Sequence, residues 1–251
     1  VMMFFIDAAM VGHLGAEASA SIGIIESTTW LMGSMLGALS TGFSVQVAHF
    51  IGANDFFKAR QVLRHALTCG LIFSLLMMSI GISIHSRLPY WLGGGSDIAG
   101  NSSAYFLIYS FALPFLLLYF MSSAMLKSSG NMKIPSILSV VMCLLDVVFN
   151  YIFIYILKLG VAGAALGTLM AYVVTVLPMV LQATCKSKIL ALHLDKVKFY
   201  WNWGYVRNAA KISGPIALQA MLMSGAQVIS TMIVAPLGNI AIAANSFAIT
   251  V

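Results

Sequence analysis

The chain has 251 residues, of which 61% are apolar and 8% are charged, with a net charge of +6 and a mean hydropathy of +0.97. Soluble globular domains hold about 45–50% apolar and about 25% charged residues, so this composition excludes a soluble domain. The apolar residues form long runs that approach or exceed the roughly 20 residues of a membrane-spanning helix. These features predict an all-α polytopic membrane protein.

Seven apolar segments follow one another, separated by clusters of Gly, Asn, Asp, Ser and Pro. The first is too short to span a bilayer, and we interpret it as part of a truncated helix, with the chain being a fragment. An eighth segment begins near Ile240. The seven segments cover residues 1–12, 20–51, 66–84, 104–125, 134–156, 162–183 and 212–235.

Two aspartates lie within these segments, Asp7 in the first and Asp146 in the fifth. An ionisable side chain is costly in a bilayer and usually faces a bundle interior or a water-filled cavity. A pair of such acids is typical of proteins that move cations across membranes, and this is the first indication of function.

The basic residues predict the orientation of the helices, because Lys and Arg are enriched in cytoplasmic connections. Eleven of the thirteen lie at alternate connections, and only Arg87 and Lys158 lie on the opposite side. The positive charge therefore follows the topology and predicts no nucleic-acid partner. The eleven residues predicted to be cytoplasmic are Lys58, Arg60, Arg64, Lys127, Lys133, Lys186, Lys188, Lys196, Lys198, Arg207 and Lys211.

The longest polar stretch, residues 185–211, predicts an amphipathic helix at the inner membrane interface, with Trp201 and Trp203 at the level of the headgroups.

The sequence also contains a repeat. Val11, Leu14, Gly15, Ala18 and Ala20 recur at a constant offset of 223 residues as Val234, Leu237, Gly238, Ala241 and Ala243. An offset that spans six helices restores the original orientation, which predicts a parallel repeat of six-helix units.

Short motifs along nearly the whole chain resemble the multidrug and toxic compound extrusion (MATE) family and occur in the family's order. They are Asp7-x-x-Met10-Val11-Gly12-x-Leu14-Gly15, Ile51-Gly52-Ala53-x-Asp55, Gly130-Asn131-x-Lys133-x-Pro135, Asp146-x-x-x-Asn150, Leu159-Gly160-Val161-Ala162-Gly163-Ala164-Ala165-x-x-Thr168 and Pro236-Leu237-Gly238.

The resemblance implies a twelve-helix, two-lobe transporter in which this chain supplies the six-helix N-terminal lobe (residues 1–184), a cytoplasmic interfacial linker (185–211) and the start of the C-terminal lobe with helix seven (212–251). It implies a non-enzymatic antiporter of a cell membrane, with the bacterial inner membrane as the expected location. Organic cations, drugs or toxic metabolites would leave in exchange for Na⁺ or H⁺, without a cofactor. The expected partners are the amphipathic or cationic substrate, the lipid bilayer and a C-terminal lobe of the same polypeptide.

The resemblance also implies a cation site formed by Asp7, Asp146, Asn150 and Thr168. Residues four apart share a helix face, and carboxylate, amide and hydroxyl oxygens are the ligands that a hard cation such as Na⁺ prefers. On the fifth segment the order departs from the familiar prokaryotic pattern, in which Asn precedes Asp. No substrate-binding residue is predicted.

Other interpretations of the acids stay open at this stage. A buried aspartate can have a purely structural role, in which it hydrogen-bonds a neighbouring helix, and so can Asn150 and Thr168. A flippase for lipid-linked oligosaccharides of a related fold would require a strongly cationic cavity, and these segments contain almost no Lys or Arg. An intramembrane aspartyl protease also uses two aspartates, but the Gly-x-Gly-Asp motif usual in such enzymes is absent before Asp146.

Overall fold

The structure, a computed structural model, describes residues 10–187, 189–192 and 200–250, and this part of the chain contains helices and no strand. A short helix, Leu88–Trp91, joins α3 to α4. Turns of π-helix follow α5 at Tyr151–Ile156 and α6 at Gln182–Lys186. The helices are α1 (residues 10–12), α2 (Ala16–Gly52), α3 (Phe56–Ile84), α4 (Ser96–Ser128), α5 (Lys133–Asn150), α6 (Gly160–Leu181), α7 (Trp203–Val234) and α8 (Asn239–Thr250).

Within the described residues, six helices are long and apolar enough to cross a membrane. They correspond to the second to seventh predicted segments, so the polytopic all-α architecture is confirmed. α2 lies at the centre of the bundle, in contact with α3, α4, α7 and α8. A second apolar core joins α4 to the α5–α6 pair through side chains such as Leu126, Met142 and Val176.

The third helix is longer than its apolar segment at residues 66–84, because α3 begins at Phe56. The Asp55 side chain accepts a hydrogen bond from the Lys58 backbone N–H (3.1 Å) and so caps the helix. The Lys58 ammonium also lies 2.8 Å from this carboxylate, and its hydrogen bond lowers the pKa of Asp55. Hydropathy locates the part of a helix that lies in hydrocarbon, whereas capping decides where the helix begins.

The segment predicted as an interfacial linker is shorter than expected at both ends. The π-helical turn Gln182–Lys186 continues α6. α7 starts at Trp203, where the Asn202 side chain accepts a hydrogen bond from the Gly204 N–H (2.8 Å). The prediction of a separate amphipathic helix that extends to residue 211 is therefore wrong, because residues 203–211 form the polar first turns of α7. Residues 188 and 193–199 of this segment lie outside the described part of the chain.

The remaining linker is attached to the first turns of α3. The guanidinium groups of Arg60 and Arg64 donate to the carbonyl oxygens of Ile189 (3.0 Å) and Leu192 (3.2 Å). The imidazole of His65 is fully buried, and its Nε2 accepts the Asn202 N–H at 2.9 Å. The chain that leads into α7 is thus held to side chains of α3 through its own backbone atoms.

The predicted repeat is visible in the backbone. Gly15 precedes α2 with φ 109° and ψ 172°, and Gly238 precedes α8 with φ 97° and ψ 172°. These positive φ values favour glycine. Each turn also contains the equivalent hydrogen bond, from Gly15 N–H to Gly12 O in the first and from Gly238 N–H to Ala235 O in the second, both 3.2 Å. The two copies therefore form the same helix–turn–helix junction.

The orientation of the bundle can be tested at the two ends of α4, where Ser96 and Lys127 are both exposed. In a background without the three native cysteines, we expect Cys at Ser96 to react in intact cells with a membrane-impermeant thiol reagent. Cys at Lys127 should react only after the membrane is opened, because Lys127 lies in one of the basic connections that are predicted to be cytoplasmic. The reverse pattern would invert the topology.

Candidate functional site in the α5–α6 pair

The buried face of α5 is polar and its exposed face is apolar. Asp146 and Asn150 are fully buried, with Met142 one turn before them. This arrangement is the opposite of that in a helix from a soluble protein, and it suits a helix whose outer face contacts lipid. The exposed apolar residues of α5 are Ile137, Val140, Val141, Leu144 and Val148.

A hydrogen bond joins the two polar side chains. Asn150 Nδ2 donates to Asp146 Oδ2 at 3.2 Å. The four-residue spacing predicted this shared face, and the order Asp then Asn brings the two groups into contact. Because a carboxylate only accepts hydrogen bonds, the amide nitrogen faces Asp146, and Asn150 Oδ1 faces α6, where it contacts Gly167.

The backbone departs from α-helical geometry directly after Asn150. Residues Tyr151–Ile156 form a π-helical turn, closed by a hydrogen bond from Leu157 N–H to Ile152 O (2.9 Å). Single π-helical turns within membrane or soluble helices are frequent at functional sites. The first turns of α6 pack onto this turn, with Gly163 facing the carbonyl of Phe153.

Thr168 lies on α6 next to Gly167, which contacts Asn150. Its side chain is half-buried, and its hydroxyl donates to Ala164 O at 3.2 Å. A hydroxyl that donates its proton to a helix carbonyl retains its oxygen lone pairs as acceptors.

Asp7 lies outside the described residues, but the neighbouring end of α1 has defined contacts. Tyr155 Oη donates to Met10 O at 3.0 Å. Val11 packs in an apolar cluster with Ile154, Val161 and Ala164. α1 therefore ends against the π-helical turn that follows Asn150 and against the α6 turn that precedes Thr168.

The structure joins the Asp146 carboxylate and the Asn150 amide directly, and the Thr168 hydroxyl lies on the facing helix α6; carboxylate, amide and hydroxyl oxygens suit a hard monovalent cation. An ionised carboxylate in a bilayer is costly unless it is paired, and neutralisation by a proton or a cation removes that cost. The site therefore has the chemistry of a reversible cation or proton acceptor.

Sequence reasoning included Gly163 in a motif but assigned no role to Gly163 or Gly167. Gly167 faces Asn150 of α5 and Gly163 faces the π-helical turn after it, both at close range. The available signal was their Gly-x-x-x-Gly spacing on a membrane helix, which commonly marks close helix contact.

Comparison with known proteins decides the family, since the MatE family model matches residues 1–152, more than half of the chain. The chain belongs to the MatE family. It is 26% identical over 236 residues to the multidrug export protein MepA of Staphylococcus saprophyticus, covering 93% of this chain and 51% of MepA. The chain thus spans about half the length of the curated relatives it matches.

Solved MATE transporters share the fold. An inward-facing multidrug resistance MATE transporter of the MOP superfamily superposes with a TM-score of 0.88 at 21% identity, covering 97% of this chain and 56% of that chain. An outward-facing structure of such a transporter gives 0.84 at 22% identity, covering 98% and 59%. These matches confirm that the chain has the architecture of a family of multi-pass membrane transporters. The relatives found are transporters and not enzymes.

Proposed function

We propose that this chain is the N-terminal lobe, with the first helices of the C-terminal lobe, of a longer multidrug efflux transporter. The transporter exports organic cations, drugs or toxic metabolites by alternating access, in exchange for inward movement of Na⁺ or H⁺. The observation that carries the proposal is the fully buried Asp146 hydrogen-bonded to Asn150 in a membrane helix.

The two-lobe organisation is supported by the repeated junction at Gly15 and Gly238. It is also supported by relatives that are about twice as long as the matched chain. Parallel repeats enclose substrate and ion sites at their interface in several transporter classes. The C-terminal lobe of the same polypeptide is therefore the expected partner of the exposed faces of α7 and α8.

The coupling ion is proposed to bind at Asp7, Asp146, Asn150 and Thr168. Entry of one positive charge from outside is driven by about 2.3 kcal/mol per 100 mV of membrane potential. Asp146 supplies the charge that the ion neutralises, while Asn150 and Thr168 supply neutral oxygens. The hydrogen bond between Tyr155 and Met10 links the π-helical turn to α1, so a change at the site reaches α1 directly.

No observation favours the flippase. In the described helices, Lys and Arg lie at the ends and not in the middle, whereas a cavity for anionic lipid-linked sugars requires internal cations. No observation favours the protease either: Asp146 accepts a hydrogen bond from the amide of Asn150, and the Gly-x-Gly-Asp motif usual in such enzymes is absent before Asp146.

The proposal predicts that Asp7→Asn, in the full-length polypeptide, abolishes gradient-driven export. Asn preserves the size of the side chain but cannot change its charge. The measurement is efflux of a fluorescent cationic dye from energised vesicles, with Na⁺ and H⁺ gradients imposed separately. Glu17→Gln, which neutralises an exposed acid at the start of α2, is the matched control and should leave efflux unchanged. Normal gradient-dependent efflux in well-inserted Asp7→Asn protein would return Asp7 to a structural role.

A further inference from the structure

Two glycines on α6 lie four residues apart: Gly167 contacts Asn150 at the polar end of α5, and Gly163 contacts the π-helical turn that follows it. A Cβ built on Gly163 would lie 2.8 Å from the Phe153 carbonyl oxygen and 3.2 Å from the Ile154 nitrogen. A Cβ on Gly167 would lie 2.9 Å from both the backbone nitrogen and the Cγ of Asn150 and would collide with Asn150 Oδ1.

Close contact of this kind occurs at some other helical glycines, as at Gly42, Gly70 and Gly81, but not at all of them. A Cβ on Gly37, Gly100, Gly214 or Gly225 would meet no atom within 4 Å. Those positions tolerate a methyl group in the described structure, whereas Gly167 does not. The absent side chain at Gly167 is therefore matched to one particular neighbour, the amide of Asn150.

The Asn150 amide has little freedom to yield. Asn150 Nδ2 donates to Asp146 Oδ2 at 3.2 Å. The backbone nitrogen of Asn150 would lie 2.9 Å from a Cβ on Gly167, so the backbone at Asn150 is close to α6 as well. Turning the side chain away from α6 would break the contact with Asp146. Moving α5 away instead would separate the π-helical turn from Gly163.

We propose that Gly167 is a positioning residue for the cation site, which rests on the proposed coupling function. It holds the Asn150 amide against Asp146 by allowing the α6 backbone to approach, and it places Asn150 Oδ1 at the α6 surface beside Thr168. Gly163 supports this by setting the depth at which the π-helical turn packs.

The test is a double-mutant cycle in the full-length transporter, with Gly167→Ala, Asn150→Ala and the combined variant. The concentration of Na⁺, and in a separate series the pH, that gives half-maximal dye efflux is measured for each. We expect Gly167→Ala to weaken the apparent cation affinity by about 10- to 100-fold, as loss of an orienting partner does at metal sites. In the Asn150→Ala background the same substitution should change it by less than about twofold, because the two residues act together.

Gly100→Ala is the matched control, since it makes the same change in a membrane helix where a Cβ has open space. It should leave the half-maximal concentration unchanged. An unchanged apparent affinity in Gly167→Ala overturns the proposal. So does an equal loss in the Asn150→Ala background, because Gly167 would then serve general helix packing.

A structure of the Gly167→Ala variant separates this proposal from the proposed function. Asn150 Nδ2 and Asp146 Oδ2 should move beyond hydrogen-bonding distance, about 3.5 Å, and a retained bond overturns the positioning role. If the unmodified transporter shows neither Na⁺- nor H⁺-dependent efflux, the coupling proposal fails, while this structural measurement still decides whether Gly167 positions Asn150.

Discussion

Asp146→Asn is expected to abolish cation-driven efflux while leaving the folded bundle intact. Asn has the shape of Asp, and its amide oxygen can still accept the Asn150 Nδ2 proton, so the contact between the two side chains survives. What is lost is the negative charge that a proton or Na⁺ neutralises. Without it, Asp146 no longer contributes an ion-dependent step to the transport cycle.

The measurement is dye efflux from vesicles under an imposed Na⁺ or H⁺ gradient, with insertion verified by the amount of protein in the membrane. Asp55→Asn is a matched control, because Asp55 is a half-buried aspartate at the start of α3, outside the proposed site, where Asn is an equally good capping residue. It should transport normally. Gradient-dependent efflux at the normal rate in Asp146→Asn would falsify the assignment of Asp146 as an ion-responsive group.

The positions of the membrane helices were predictable because burial in lipid requires long apolar runs, and the second to seventh segments all correspond to helices. The helix ends were not predictable in the same way. α3 and α7 begin well before their apolar segments, at caps formed by Asp55 and Asn202. Capping depends on local hydrogen bonds, which hydropathy does not report.

The candidate site was predictable in its chemistry but not in its packing. Asp146 and Asn150 were identified from their spacing in an apolar segment, and the structure joins them by a hydrogen bond. The π-helical turn at residues 151–156 and the approach of Gly167 depend on how α6 packs against α5. Pairwise contact between helices is not encoded in the period of either helix alone.

The burial of His65 shows the same limit. In the sequence it lies among the basic residues that precede the third apolar segment, at the polar start of α3. In the structure its ring is enclosed by Trp201 and Tyr205, with centroid distances of 5.1 and 5.2 Å. Contacts with residues more than 130 positions away made this polar segment part of a packed junction.

The contact between α2 and α7 is held differently at its two ends. Near the start of α7, Gln46 Nε2 donates to the backbone oxygen of Tyr205 at 3.1 Å, and the preceding linker is attached to α3 through backbone atoms. Near the end of α7, the polar contact is the hydroxyl pair Ser27 Oγ and Thr231 Oγ1, 3.1 Å apart, beside apolar packing that includes Ala235. The residue after this end of α7 and its turn, Asn239 at the start of α8, donates from Nδ2 to Asp97 Oδ2 on α4 at 2.6 Å.

This asymmetry leads us to expect that α7 pivots near its start and separates from α2 at the Ser27–Thr231 end during transport. Alternating access requires movement of one repeat against the other, and the two helices belong to different proposed lobes. Side-chain contacts between hydroxyl groups contribute only about 0.5–1.5 kcal/mol each, so this end can open within a transport cycle.

Linking the two helices at this end should therefore stop export. In a full-length transporter without Cys69, Cys143 and Cys185, the pair Ser27→Cys and Thr231→Cys is expected to form a disulfide on mild oxidation and to lose cationic-dye efflux. Efflux should return when the disulfide is reduced. Each single cysteine variant, oxidised in the same way, is the control and should remain active. Equal efflux rates in the fully cross-linked and the reduced protein would show that α2 and α7 stay together at this end throughout the cycle, and that the opening between the lobes lies elsewhere.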